Sequence, residues 1–364
     1  MAVLVVNAGS SSTKLRVLDD TDTVAADVDM GPPDPAVADA AVRLASAEDV
    51  SASVHRIVHG GSDFRHAVLV DDRVDDELKA LGALAPLHNP PALSIVDALR
   101  RAVPEKPLVA CFDTAFFAEL PPASATYALP RRWREDLGVR RFGFHGLSHA
   151  RAWRRGASLA GVRPGDARVV TAHLGAGASL AAVHGGQPVD TTMGFTPLDG
   201  LVMATRAGSL DPGVLLHVLR HGGVDAEGLD DVLEHGCGLR ALAGTPDLRA
   251  VLERAASGDD DARLARDVYL HRLVQGVAAM AATLGGLDVL VFTGGAGEAS
   301  SELRRRVSER LGFLGVGPLA DGPGDGDRLL SGPDAPVAVC VVATREDLQM
   351  AAEARRVLAE QPLA

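Results

Sequence analysis

Three stretches of small residues each follow an apolar run, and what they could do chemically is hold an anion. They are Ala8-Gly-Ser-Ser-Ser-Thr-Lys14 after Val3 to Val6, Leu174-Gly-Ala-Gly-Ala-Ser179 after Arg168 to His173, and Gly294-Gly-Ala-Gly297 after Val289 to Thr293. A glycine-rich tip lets backbone N–H groups approach phosphate oxygens, because a side chain there would hold the anion away. One Gly-x-Gly is as readily a plain tight turn, but three in one chain imply a polyphosphate. The Walker A pattern is absent, and so is a Gly-x-Gly-x-x-Gly fingerprint after the first strand, which disfavours a P-loop fold and a Rossmann dehydrogenase. Asp113 ends the apolar run Leu108 to Phe112 and so stands at a strand terminus, where the active-site groups of α/β folds gather. His145 and His149 lie four apart, as metal-binding histidines on a helix do. Gly143 and Gly146 argue against a continuous helix there, and no third zinc ligand is evident.

The elements that position these groups are legible from pattern. Val3 to Val6 and Leu15 to Leu18 read as a hairpin with a Gly/Ser tip, and the same grammar at Arg168 to His173 and Leu180 to Val183 reads as an internal duplication. Val289 to Thr293 is a third strand followed by a helix from about Ser301 to Leu311, and Ala338 to Ala343 is a strand preceding a helix over Asp347 to Ala359. Asn89 is placed to cap a helix that starts at Pro90-Pro91 and ends before Pro104, and another helix runs from Ala262 to Leu284. Asp19 to Pro35 and Asp321 to Pro336, rich in Asp, Gly and Pro, read as surface loops. The whole suggests two α/β domains of similar plan facing each other across a cleft, with ligands between the hairpin tips.

A chain of 364 residues, 47% of them hydrophobic, can bury a large core and is long for one domain. Its formal net charge of -12 disfavours bulk attraction to nucleic acid or an anionic membrane, so any positive charge that matters must be local. Cys111, Cys237 and Cys340 are widely spaced, without the pairing of a zinc site or a disulfide framework, and fit reduced thiols. The start of the chain lacks the basic region and long apolar core of a signal peptide, and no 18 apolar residues occur in succession. A soluble, cytoplasmic protein is expected.

The motifs, taken together, resemble the acetate kinase family. The resemblance rests on Asn7-Ala-Gly-Ser-Ser-Ser-Thr-Lys14, His55-Arg-Ile-Val-His-Gly-Gly61, Ala85-Pro-Leu-His-Asn-Pro-Pro91, Phe112-Asp-Thr-Ala-Phe116 and Gly143-Phe-His-Gly146 in the first part of the chain. It continues through His173-Leu-Gly-Ala-Gly177, Met193-Gly-Phe-Thr-Pro197, Thr205-Arg-Ala-Gly-Ser-Leu-Asp-Pro212, Asp247-Leu-Arg249, Gly294-Gly-Ala-Gly-Glu298 and Thr344-Arg-Glu346. These stand in the family's order and span nearly the whole chain. The resemblance implies two duplicated ribonuclease-H-like domains of the actin-like ATPase superfamily around a central cleft. Residues 1–117 with 347–364 would form the acyl-substrate domain, and 118–346 the nucleotide-binding and dimerisation domain. It also implies a homodimer using ATP/ADP, Mg²⁺ (or Mn²⁺) and a short-chain carboxylate or acyl phosphate.

The chemistry of acyl phosphate formation can be argued independently. A carboxylate, with a pKa of roughly 4 to 5, is already ionised at neutral pH and needs no general base to attack phosphorus. The obstacle is repulsion between two anions, so the site should offer fixed cations and a metal. Arg56 and Arg206 match that need and align with the family's two essential arginines. Arg56 is assigned to the carboxylate and the transferring phosphoryl group, and Arg206 to charge stabilisation in the transition state. By resemblance, His145 steadies the equatorial oxygens and Asp113 is the acidic residue of the site, orienting Arg56 or Mg²⁺. Glu346 binds the metal, with Asn7 near it. Val58, Leu87, Phe144 and Pro197 form a small apolar wall that a methyl group would fit. Lys14, His173, Leu174, Gly175, Ala176 and Gly177 line the phosphates, while Asp247, Leu248, Arg249 and the loop Gly295, Ala296, Gly297, Glu298, Ala299 hold the adenosine. Ala176, Ala299 and Arg345 stand where the family usually has Asn, and Leu248 where Phe or Met is common. Three readings compete with an acetate kinase: a propionate or butyrate kinase, an actin-like or chaperone-like ATPase switch without an acyl acceptor, and a family member that binds ATP but turns over poorly.

Overall fold

The structure is a computed structural model that describes residues 1–9, 12–85, 88–320 and 326–360. The chain divides into two compact units, one of Met1–Ala118, Phe144–Arg151 and Arg345–Ala364, the other of Glu119–Gly143 and Ala152–Thr344. Phe144–Arg151 therefore belongs with the first unit.

The first unit is built on a six-stranded sheet of β1 (Ala2–Ala8), β2 (Thr13–Leu18), β3 (Val24–Met30), β4 (Val50–Ile57), β5 (Val68–Leu69) and β6 (Leu108–Phe112), in the order β3-β2-β1-β4-β6-β5. The β1-β2-β3 ladder is antiparallel, β1-β4-β6 is parallel and β5 closes the edge antiparallel to β6. Because side chains alternate along a strand, β1 serves both faces of the sheet. Leu4 and Val6 pack with Leu93, Val96 and Leu99 of the helix Asn89–Ala102 and with Val37 and Ala41 of the helix Pro35–Ala45. Val3 and Val5 pack on the other side with Leu147 and with Met350, Ala351 and Ala354 of the last helix, Glu346–Ala359.

The second unit repeats the plan. Its strands are β7 (Arg168–Leu174), β8 (Ala178–His184), β9 (Gln187–Thr191), β10 (Val289–Thr293), β11 (Arg328–Leu329) and β12 (Ala338–Val341), in the order β11-β12-β10-β7-β8-β9. Read from the other edge, this is the same arrangement: three antiparallel strands, two parallel additions and an antiparallel edge strand. The repeat in the sequence is thus a repeat of topology. The helix Asp260–Thr283, capped by the Asp259 carboxylate accepting from the Ala262 N–H at 3.0 Å, lies on this sheet. A Cβ on its Gly276 would come within 2.7 Å of Leu180.

Three sequence expectations are corrected. Asp19 to Pro35 contains strand β3, whose pairing with β2 runs from Thr13↔Met30 to Leu18↔Val24, so its middle, Val24–Met30, is sheet edge rather than loop. Asn89 does not cap its helix; it is the first helical residue, and its side chain is engaged elsewhere. Gly294 to Ala299 is a short helix instead of a glycine tip. Of the second expected loop, residues 321–325 lie outside the described residues and β11 occupies part of the rest. Cys111 and Cys340 are buried packing residues; burial pushes both thiols up, that of Cys340 to about 12. No helix among the described residues is long and apolar enough to cross a membrane.

Candidate active site

In the first unit the site grows from the carboxyl ends of neighbouring strands. Arg56 lies one residue before the end of β4, and Asp113 follows β6; the parallel register Ile57↔Phe112 and the bond from the Asp113 N–H to the Ile57 carbonyl bring them side by side. The Arg56 Nε–H donates to Asp113 Oδ1 at 2.9 Å and Nη2 donates to Oδ2 at 2.6 Å, a two-point pairing on a carboxylate only 1% exposed. The third guanidinium nitrogen, Nη1, donates to Asn7 Oδ1 at 3.3 Å, and the Asn7 amide donates to Glu346 Oε2 at 2.8 Å. Asn7 comes from β1 and Glu346 from the first turn of the last helix. Burial weakens the charge on Arg56, but Asp113 and then Glu346 outweigh it, so its pKa lies above the usual arginine value and the cation is permanent. Lys14 stands opposite Asn7 in the hairpin register, exposed on β2.

The turn before the helix Gly146–Leu159 closes against Asp113. The Gly146 N–H donates to the Asp113 carbonyl at 2.9 Å, and a Cβ on Gly146 would sit 2.2 Å from that oxygen. Only glycine permits this approach. His145 takes a left-handed backbone, φ +58°, to make the turn. Phe144, 1% exposed, meets the His59 ring edge-on at a centroid distance of 5.4 Å, and Val58 is buried next in the chain. Asn89 fixes this corner from beneath, donating to the His59 carbonyl at 2.9 Å and accepting from the His59 N–H at 3.2 Å. Leu87 lies outside the described residues.

Two histidines here are kept neutral. Burial pulls the pKa of His55, beside Arg56 on β4, down to about 3, and that of His59 down to about 4. The unfolded chain has ordinary histidines, near pH ~6.5. Both folded values are depressed, so below that pH the unfolded chain takes up protons that the folded chain refuses. Stability should therefore fall with pH from about 6.5 toward 4 and 3, at up to roughly 1.4 kcal/mol per pH unit for each histidine. Urea midpoints measured between pH 7 and 5, above the carboxylate range, check this; a flat profile would contradict it.

In the second unit, His173 ends on β7 and the β7-β8 turn is closed by the Gly175 N–H donating to the Gly177 carbonyl at 2.9 Å. The Ala176 carbonyl accepts from the Ala204 N–H at 3.1 Å, which ties this turn to the segment carrying Arg206. Arg206 donates from Nε to Glu234 Oε2 at 2.7 Å. Asp247 caps the helix Leu248–Ala256, accepting from the Arg249 N–H at 2.9 Å. At the start of the helix Gly294–Ala299, Gly294 has φ +80°, and a Cβ there would lie 2.7 to 2.8 Å from the Leu174 backbone. Glu298 Oε1 accepts from the Thr344 N–H at 3.0 Å and from the Thr344 hydroxyl, while the buried Arg304 donates to the Gly297 and Glu298 carbonyls at 2.7 Å. Pro197 lies in a loop whose base is set by Arg141, which donates to the carbonyls of Thr191, Thr192 and Met193.

A duplicated sheet plan with an arginine fixed by a carboxylate in each half narrows the relatives. A model of the Acetokinase family matches residues 36–352. The chain belongs to the acetokinase family. It is 45% identical to an acetate kinase of Nostoc sp. over 300 residues, covering 82% of this chain and 74% of that one. Among solved structures it is similar to Porphyromonas gingivalis acetate kinase, with TM-score 0.89 and 34% identity over 98% of this chain and 99% of that one. It is also similar to a propionate kinase from Francisella tularensis, with TM-score 0.85 and 32% identity over 97% and 98%.

Within this acetokinase-family chain, sequence reasoning set Asp113 to orient Arg56 or the metal and put Asn7 near the metal of Glu346, and the fold links all four residues by direct hydrogen bonds into one network. It missed Asn89 as the support of the His59 corner and Glu234 as the partner of Arg206. Asn89 sits in the quoted Asn-Pro-Pro motif, where its capping chemistry concealed a long-range one. Glu234 stands in a polar stretch with no local pattern to mark it.

Proposed function

We propose that this acetokinase-family chain transfers the γ-phosphoryl group of ATP to acetate, reversibly, giving ADP and acetyl phosphate. An acetate oxygen forms the new bond to the γ-phosphorus as the bond from that phosphorus to the β-γ bridging oxygen breaks, and the bridging electron pair leaves with ADP. No proton is removed, since the acceptor is already an anion. The observation that carries the reading is Arg56 itself: a permanently charged guanidinium fixed by Asp113 at the carboxyl end of a strand that runs on to buried Val58 and to His59, whose ring meets buried Phe144. Arg56 binds the acceptor carboxylate and the transferring group, His145 steadies the equatorial oxygens, and Arg206 balances charge that builds up in the transition state. His173 to Gly177 with Lys14 serve the phosphates, and Asp247 to Arg249 with Gly295 to Ala299 the adenosine.

The donor set at the end of β1 suits a hard divalent ion, because Glu346 offers carboxylate oxygen and Asn7 an amide beside it. These two residues would hold Mg²⁺, or Mn²⁺ in its place, which when bound neutralises phosphate charge. The working assembly is a homodimer in the cytoplasm. Its support is the helix Pro212–His221, which buries none of its residues and exposes Val214, Leu216 and Leu219 near Leu210, an apolar face that a second copy would cover.

Hydroxylamine trapping of acyl phosphate tests the activity, with Mg-ATP, a panel of C1 to C5 acids and protein from the dimer-mass peak of gel filtration. Acetate should give trapped hydroxamate. Failure with every acid ends the kinase reading and favours a nucleotide switch, and a monomer-mass peak removes the homodimer. Propionate is the second acceptor to expect: the Francisella tularensis relative is a propionate kinase, and excluding one methylene is worth only about 1–3 kcal/mol.

A further inference from the structure

Arg206 is held by a second stretch of the chain. Its segment, residues 203–206, is laced to the segment 232–238 at several points. The Thr205 hydroxyl donates to the Glu234 carbonyl at 2.7 Å and the Cys237 N–H donates to the Thr205 carbonyl at 2.9 Å, while within the segment the Met203 N–H donates to the Arg206 carbonyl at 3.0 Å. Gly238, φ +64°, lies so close that a Cβ would meet the Met203 carbonyl at 2.2 Å and the Arg206 backbone at 2.7 to 2.9 Å. Residues Val232–Gly236 form a single turn of π-helix, and that wide turn carries Glu234. Such turns are rare and cost regular hydrogen bonding, and they concentrate at functional sites because they re-aim one side chain. Here the re-aimed side chain accepts the Arg206 Nε–H at 2.7 Å, with both partners mostly buried at 16% and 13% exposure. Among the described residues, the Arg206 Nη donors have no hydrogen-bond partner, so the carboxylate fixes the inner edge of the guanidinium and leaves its outer donors for a ligand.

We infer that Glu234 is a positioning residue for the phosphoryl transfer, acting through Arg206 and built into the fold by the π-turn at Val232–Gly236. The inference rests on the reading of Arg206 as a transition-state cation. A guanidinium anchored at Nε loses little rotamer freedom when charge develops in front of it, and misplacement of such a group by about 1 Å costs on the order of 10²-fold in rate. Glu234 touches no reacting atom in this scheme.

The test is a double-mutant cycle on full-length protein in the hydroxylamine assay. Glu234→Ala should lower kcat by about 10²-fold with KM for ATP and for acetate nearly unchanged. Glu234→Gln, which keeps the reach and one acceptor oxygen, should recover part of the loss, and it stands in for the alanine variant if that fails to fold. In an Arg206→Ala background, Glu234→Ala should add little, because the group it positions is gone. Independent losses that multiply, or a Glu234 effect confined to KM, overturn the inference. Wild-type activity, read first, checks the underlying reaction: an inactive wild type ends both readings, whereas an active wild type with an indifferent Glu234 ends this one alone.

Discussion

Arg206→Ala is expected to lower kcat by about 10³-fold or more while leaving ATP binding nearly unchanged. The physical reason is that transferring a phosphoryl group between two anions concentrates charge only as the bond is crossed. A cation that answers that charge therefore lowers the barrier more than it tightens the ground state. Arg206 is equipped for this, with Nε fixed on Glu234, its own carbonyl held by the Met203 N–H and the preceding Thr205 carbonyl by the Cys237 N–H, so little reorganisation is needed. The comparison to make is kcat in the hydroxylamine assay against the dissociation constant of ATP from calorimetry. A mild loss of kcat, or a loss matched by weaker ATP binding, would remove Arg206 from the transition state.

Asp113→Ala should cost both stability and activity. The substitution removes a carboxylate 1% exposed from an arginine 13% exposed, leaving a charged group in a mostly dry setting with, among the described residues, Asn7 as its remaining side-chain hydrogen-bond partner. Breaking a buried pair from one side typically costs about 3–5 kcal/mol, read here from urea unfolding. The loss of two oriented hydrogen bonds also frees Arg56, so kcat/KM for the acid should drop by about 10²-fold or more. Asp113→Asn keeps the shape and one acceptor for Nε–H while turning an amide toward Nη2, and it should fall between wild type and alanine in both measurements. If Asp113→Asn abolished turnover but left stability intact, Asp113 would be acting on the substrate or the metal instead of holding Arg56.

Much of this was legible in the residues. The two hairpin openings, the strands at Leu108 and Val289 and the last helix appear as contiguous apolar or periodic runs, because burial on a sheet face or helix stripe writes itself directly into local pattern. Strand β3 was not legible: it is an exposed edge rich in Asp and Ala, and it is a strand because β2 offers it a ladder, which no local preference reveals. The helix Gly294–Ala299 contradicts glycine's poor propensity. Contact with the Leu174 backbone requires Gly294, and Arg304 supplies donors to carbonyls near the helix end. Asn89 looked like a cap because Asn before Pro-Pro usually is one; His59, 30 residues away, offered its side chain a better pair of bonds.

By itself the sequence determined the repeated α/β plan, the family and the identity of the charged groups, since these follow from residue type, spacing and periodicity along one chain. Only the tertiary structure decided which of these groups are bonded directly to which, and through which atoms. Arg56 finds Asp113 across 57 residues, Asn7 finds Glu346 across 339, and Arg206 finds Glu234 across 28. Such pairs are set by sheet register and by the return of a distant helix, and a carboxylate gives no local sign of the guanidinium it will meet.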